Sequence, residues 1–320
     1  MPRVSVIMNI RNGAATLRES IDSVLAQTYQ DWELVLWDDC STDTSADIAA
    51  TYSEPRIRYL LSPEDTPLGR ARDLAIHQAR GEWIAFIDQD DLWVPNKLEL
   101  QLAAAGSDPA VGMVYGRTVS FFPDGSERDY DHRHEYVPLP DGDIFRALFV
   151  DSCFICVSST MMRRAAVEAL GGIPAEFHVS PDYFLYLSLA RSHRVRAVQQ
   201  VVCHYRIHAA NMTHVTGGRI QTEVLRLLDR WEEQVEPRLL AKRRRIHSTV
   251  LAWHELRGRQ TRLAGLRRLW SSGSVTYLAA RPFARACRGV RRRVQRPFWK
   301  SERGGWRRGE ESATTAALPR

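Results

Sequence analysis

Short apolar, β-branched runs alternate along this chain with longer segments whose apolar residues return every three or four positions, a pattern that predicts strands alternating with helices. Val4-Ser-Val-Ile-Met-Asn-Ile10 predicts a first strand, and Arg11-Asn12-Gly13 the turn after it. Leu17, Ile21, Val24 and Leu25 share one helical face, with Thr16 and Glu19 spaced as a capping box. Glu33–Asp38 predicts a second strand, and Cys40-Ser-Thr-Asp43 the turn and cap of a helix reaching Ser53. Arg56–Leu61 predicts a short third strand, followed by a proline-rich loop and a helix over Gly69–Ala79 that Gly81 ends.

The run Trp83-Ile-Ala-Phe-Ile-Asp88-Gln-Asp90-Asp91-Leu-Trp-Val-Pro95 is too short to cross a bilayer and reads as a strand buried on both faces. Its end carries three carboxylates, which repel one another unless a cation neutralises them. Taken alone, the stretch also suits an acidic strand-to-helix turn, with one aspartate capping the helix that Pro95 opens. The second strand ends in acids too, Asp38 and Asp39, and parallel strands all point one way. Both clusters therefore fall on one sheet edge, where open α/β sheets bind their ligands.

Beyond Pro95 the pattern predicts a helix to Ala105, a strand over Val111–Phe122 and a turn at Pro123-Asp124-Gly125. Residues 128–142 are polar, aromatic and aperiodic, a long loop suited to an acceptor-side lid. Ile144–Val150 predicts a helix, Ser158–Arg163 a strand, and Ala165–Leu170 a helix ended by Gly171-Gly172. Ser180 and Pro181 suit the N-cap and first position of a helix, which puts Asp182 in its first turn. Val195–Tyr205 predicts a last strand leading into Arg206-Ile207-His208. The whole predicts an α/β, doubly wound, mostly parallel sheet.

Composition adds two things. With 320 residues and 44% hydrophobic content the chain is globular, and the five scattered cysteines are expected to be reduced thiols. The lone Cys153-Phe-Ile-Cys156 spacing, in apolar surroundings, is a poor zinc or redox site. No apolar segment is long enough for a spanning helix, and the N-terminus lacks a signal-peptide pattern, so a cytoplasmic protein is expected. The net charge of +6 also hides a division. Residues 219–320 hold 25 Lys and Arg against 9 Asp and Glu, a net of +16 that leaves −10 for residues 1–218. Ile220, Val224, Leu228 and Trp231 share a helical face suited to packing on the body. Farther on, Pro282 opens a stretch in which Phe283, Cys287, Val290 and Val294 align among arginines, followed by Trp299 and Trp306. That arrangement suits an anionic membrane surface at the inner face of the cytoplasmic membrane. An acidic body would repel a nucleic acid, so none is expected as a partner. Residues 304–320 are expected to be disordered.

Val4-Ser-Val-Ile, Asn12, Leu25-Ala-Gln-Thr-Tyr29, Trp32-Glu-Leu, Asp38-Asp39-x-Ser-Thr-Asp43, Ala79-Arg-Gly81, Asp88-x-Asp90-Asp91, Pro181-Asp182 and Tyr205-Arg-Ile-His208 occur in an order that closely resembles family 2 glycosyltransferases of the GT-A fold. The resemblance implies a catalytic domain over residues 1–215, with a donor half at 1–110 and an acceptor half at 111–215, followed by a basic helical extension at 216–320. It further implies a nucleoside-diphosphate-sugar donor, a divalent metal (Mn2+ or Mg2+) and inversion at the anomeric carbon. On the matching positions, Asn12, Asp38, Asp39 and Arg72 would lie at the donor and Asp39 would receive its base, most often uracil. Asp88 would contact the ribose or the metal, Asp90 would be the principal metal ligand, and His208 would reach the metal. Asp182 matches the catalytic base, and Asp91 is left as a helix cap. One general base and an electrophile at the leaving diphosphate are what an inverting transfer needs.

Two positions depart from the family. Asn9-Ile10-Arg11 stand where a Pro and an aromatic are usual, and Asp73 stands where Asn is usual, both expected near the nucleotide pocket. The processive Gln-x-x-Arg-Trp motif keeps only Arg230-Trp231, so one sugar per encounter is expected, passed to a lipid-linked or polysaccharide acceptor. The competing expectation is a non-catalytic sugar-nucleotide-binding or scaffold protein on the same fold.

Overall fold

The computed structural model describes residues 1–129, 138–151, 153–212, 216, 218–257 and 261–272. The basic stretch from Pro282 onward and most of the proposed lid lie outside the described residues. Among the described residues, no helix is long and apolar enough to cross a membrane.

The first strand, β1 (Val4–Ile10), is buried almost throughout, because parallel strands are covered on both faces. Its side chains divide between two layers of core. Val4, Val6, Met8 and Ile10 pack with Leu17, Ile21 and Val24 of α1 (Leu17–Leu25). Ile7 faces the other layer, with Ala71 and Ala75 of α3 (Leu68–Ile76). Strands β2 (Trp32–Asp38) and β3 (Ile57–Leu61) extend the parallel sheet on one side of β1, with α2 (Ser45–Ala50) joining them. The short β4 (Trp83–Phe86) pairs with β1 on the other side. The order of connection therefore reverses between β1 and β4, and the crevice at their C-terminal ends is the switch point where doubly wound folds take ligands.

Past β4 the sheet becomes mixed. The two-residue β5 (Leu92–Trp93) and α4 (Lys97–Ala105) precede β6 (Val111–Phe121), which forms a hairpin with β7 (Glu127–Asp129). Gly125 turns that hairpin at φ +78°, a conformation glycine adopts without cost. Residues 127–129, expected at the edge of a loop, are thus paired. After α5 (Phe145–Asp151), β8 (Thr160–Arg163) runs antiparallel to both β4 and β6. Helices α6 (Arg164–Glu168) and α7 (Pro181–Ser192) follow, then β9 (Arg194–Arg206), parallel to β6. The parallel expectation holds for β3-β2-β1-β4, whereas β8, wedged between β4 and β6, makes the second half mixed.

Helices α8 (Arg219–Arg230), α9 (Pro237–Arg257) and α10 (Arg262–Ser271) complete the described chain. Val224, Leu227 and Leu228 of α8 and Leu240 of α9 join the core that holds α7, and Ile220 and Trp231 pack against it as their spacing implied. Residues 1–272 make one compact unit, so α8 to α10 belong with the sheet and its helices in packing.

Close packing also draws the loop before α7 against α3. A Cβ on Gly69 would meet the Phe177 carbonyl oxygen at 1.8 Å, so only a hydrogen fits there. Gly69→Ala is expected to lower stability by about 1–3 kcal/mol despite alanine's better helix propensity, because backbone atoms must move. A thermal midpoint equal to that of the wild-type protein would contradict this contact.

Candidate functional site

The β1–α1 turn is built around Asn12, which adopts φ 51°, a left-handed conformation that asparagine tolerates. Its Oδ1 accepts from the Thr42 N–H at 2.7 Å, and its own N–H donates to Ser41 Oγ at 3.0 Å. Asp43 accepts from Ala14 N–H and Ser45 N–H, so it orders this turn and the start of α2 together. The expected capping box does not form. Thr16 Oγ1 instead donates to the Gln89 carbonyl, and Glu19 pairs with Arg206 at 2.6 Å.

Asp38 and Asp39 separate in role. Asp38 is buried, and its oxygens accept from Ser41 N–H and Tyr59 O–H, each at 2.7 Å, so its carboxylate is engaged inside the loop. Asp39 accepts from Thr66 Oγ1 and N–H and lies 3.7 Å from the Arg11 guanidinium. Burial pushes the Asp39 carboxyl up, and the Thr66 hydrogen bonds oppose this. Arg11, one of the departures, forms a fork with Asp65 across this region. The other departure, Asp73, is buried and engaged within the fold. Its carboxylate takes the Ile173 N–H at 3.0 Å and pairs with Arg70, which ties α3 to the Gly171-Gly172 turn.

The acidic loop after β4 holds Asp88, Asp90 and Asp91 with ligand oxygens within 4.8 Å of one another. Asp88 accepts from Arg72 Nη2 at 3.0 Å, and Arg72 is itself buried with its Nε unpartnered. Burial raises the Asp88 carboxyl to about 6; Arg72 opposes the shift, and the like charges of Asp90 and Asp182 add to it. His208 Nε2 lies 2.8 Å from Asp90 Oδ2, so the last predicted residue arrives at the cluster across the sheet. Three clustered carboxylates, one of them facing an imidazole nitrogen, suit a hard divalent cation.

Asp91 corrects one expectation. It does not cap a helix, since α4 begins at Lys97 with Asn96 at its N-cap. Asp91 is fully buried and accepts from Ser158 Oγ at 2.5 Å and the Arg206 N–H at 3.0 Å. Burial, with Asp88 and Asp90 nearby, holds its carboxyl well above the ordinary range. Ser158 Oγ also accepts from the Asp88 N–H at 2.9 Å, and Arg206 Nε donates to the Asp90 carbonyl at 2.8 Å. Gln89, between the two outer aspartates, exchanges two hydrogen bonds with the Arg11 backbone and so stitches the acidic loop to the β1 turn. Ser158, Arg206 and Gln89 carry no local sequence signal, and only the sheet order brings the first two to the loop.

Asp182 sits in the first turn of α7, with Pro181 at its start as expected. Ser180 makes no side-chain cap. Burial raises the Asp182 carboxyl, while Arg72 and the helix-start N–H groups oppose the shift. One arginine therefore acts electrostatically on both Asp88 and Asp182.

Comparison with known proteins bears on the family and the fold. The family model for Glycosyl transferase family 2 matches residues 5–171. The UDP-Glc:alpha-D-GlcNAc-diphosphoundecaprenol beta-1,3-glucosyltransferase WfgD of Escherichia coli is 30% identical over 195 residues, covering 61% of this chain and 72% of that protein. An uncharacterized glycosyltransferase of Nostoc sp., alr2836, is 28% identical over 228 residues, 69% of each chain. Among solved structures, the mannosyltransferase PcManGT of Pyrobaculum calidifontis, in complex with GDP-Man and Mn2+, aligns with a TM-score of 0.60 at 18% identity, covering 92% of this chain and 85% of that one. S. aureus TarS 1-349 with UDP-GlcNAc aligns at 0.56 and 19% identity, covering 84% and 73%. At those identities the two structures share the fold, and the family match spans the β1 turn, the acidic loop and β8; the chain belongs to glycosyl transferase family 2.

Proposed function

We propose that this protein is a metal-dependent inverting glycosyltransferase that moves one sugar from a nucleoside-diphosphate sugar, most consistently a UDP-sugar, to a hydroxyl of a lipid-linked or polysaccharide acceptor. The observation that carries the reading is the meeting, at the β1/β4 switch point, of Asp88, Asp90 and His208 with Asp182 on the adjoining helix. Asp90, Asp88 and His208 would hold the cation, Mn2+ or Mg2+. When bound, such a cation supplies charge neutralisation for the diphosphate that departs.

The chain's own residues do the rest. Asp39 and Asn12 lie at the donor's base and ribose end, and Asp38 holds the loop that presents them. Arg72 orients the Asp88 carboxylate and lends positive charge between donor and acceptor sides. Asp182 accepts the acceptor hydroxyl's proton as its oxygen attacks the anomeric carbon and the bond to the diphosphate breaks. Its raised carboxyl pKa strengthens it as a base relative to an exposed aspartate. Lipid-linked acceptors are supported by WfgD, which acts on a diphosphoundecaprenol-linked sugar, and a nucleotide-sugar donor by the TarS and PcManGT complexes. Action on a lipid-linked acceptor would place the protein at the cytoplasmic membrane face.

A panel of UDP-glucose, UDP-N-acetylglucosamine and GDP-mannose, each with Mn2+, tests the reading by thermal shift. One donor is expected to raise the melting midpoint in a concentration-dependent way only when Mn2+ is present. No shift with any member, or a shift indifferent to Mn2+, would overturn it.

A further inference from the structure

Helix α8 lies beyond the residues that the family model matches, yet it brings a carboxylate to the base of the candidate site. Glu223 is 3% exposed, and burying a carboxylate is costly unless strong donors surround it. The donors are three consecutive backbone N–H groups. Oε1 accepts from His178 at 2.9 Å and Val179 at 3.1 Å, and Oε2 accepts from Val179 at 3.1 Å and Ser180 at 2.8 Å.

Ser180 is the N-cap residue of α7 and its hydroxyl makes no cap, so Glu223 supplies from another helix the anion that such a terminus favours. The same helix grips the segment a second time, with Arg226 Nη1 donating to the Glu176 carbonyl at 3.1 Å. On the opposite side the Phe177 carbonyl abuts Gly69 of α3, the helix that carries Arg72. Residues 176–180 are therefore clamped between α3 and α8, and the next two residues are Pro181 and Asp182. Glu223 also adds negative potential at Asp182, which makes that carboxylate a stronger base.

We infer that Glu223 is a positioning residue for the proton acceptor Asp182, fixing the backbone of residues 178–180 and through it the direction of the Asp182 carboxylate. The inference rests on the reading of Asp182 as the base. A merely structural role would lower the melting point and leave turnover per folded molecule alone; a positioning role lowers kcat with donor KM unchanged.

The test uses the full chain with Mn2+ and the nucleotide sugar of the panel that stabilises it most, following release of the nucleoside diphosphate with water as acceptor. Glu223→Ala is expected to lose about 10²-fold in kcat, the scale of a misplaced reacting group, with donor KM within about twofold. Glu223→Gln keeps one acceptor oxygen and the side-chain shape, so it should recover part of that loss. If the alanine variant does not fold, Glu223→Gln carries the test with about a tenfold loss in kcat. In an Asp182→Asn background, Glu223→Ala is expected to cause no further loss, because the two act as one unit. Wild-type kcat in either folded variant, or a full additional loss in the double variant, overturns the inference. Inactive Asp182→Asn with fully active Glu223→Ala overturns it alone. Turnover in Asp182→Asn within a few fold of wild type overturns the base reading and this inference with it.

Discussion

Asp182→Asn is expected to bind the nucleotide sugar as the wild-type protein does and to lose transfer by about 10²–10⁴-fold, the usual contribution of a positioned general base. The substitution keeps the size and hydrogen-bonding shape of the side chain, so α7 and the N–H groups at its start have no reason to move. What disappears is the lone pair that takes the hydroxyl proton. Burial already holds the Asp182 carboxyl above the ordinary range, and Arg72 keeps that shift from running further. A carboxylate tuned in this way gains basicity over an exposed aspartate. Single-turnover rates with saturating donor would check the claim, and turnover within a few fold of wild type would remove Asp182 from the mechanism.

Asp90→Ala is expected to abolish Mn2+-dependent donor binding in calorimetry, a larger effect on binding than at any other candidate position. Asp90 contributes the carboxylate that faces His208 Nε2, whereas Asp88 is partly neutralised by Arg72 and Asp91 is buried in hydrogen bonds to Ser158 and Arg206. Removing Asp90 leaves the imidazole without its partner and the cation without its least encumbered oxygen ligand. The acidic loop itself should survive, because Gln89, Ser158 and the Arg206 N–H anchor it independently of the Asp90 side chain. Undiminished Mn2+-dependent binding by the variant would show that the cation is held elsewhere.

These two carboxylates illustrate how far a one-dimensional pattern reaches. Asp90 announces itself because an apolar strand ends in clustered acids, and Asp182 because Ser-Pro-Asp marks a helix start. His208, one of ten histidines, carries no local pattern of its own, and β9, at the far side of the sheet from β1, delivers it 2.8 Å from Asp90. The same strand end delivers the Arg206 N–H to Asp91. One reading drawn from local position changed on folding: Asp91 became a buried tie in place of a helix cap. Asp73, a departure from the family, links α3 to the turn at Ile173. Lys97, polar in the pattern, is fully buried over the Trp93 ring, and burial holds its pKa down to about 7.

By itself the sequence determined the alternation of strands and helices, the common edge on which the acidic clusters fall, and the family. Those depend on interactions within a few residues: the period of apolar positions, the turn and cap residues, and the geometry that makes parallel strands end together. The tertiary structure alone decided which acids stay partly exposed at the sheet edge and which are consumed by the fold. Hydrogen-bond partners such as Ser158 for Asp91, Ile173 for Asp73 and the 178–180 backbone for Glu223 come from distant segments. Desolvation and neighbouring charge, which set the Asp88 and Asp182 carboxyls apart from exposed ones, exist only after those segments have packed.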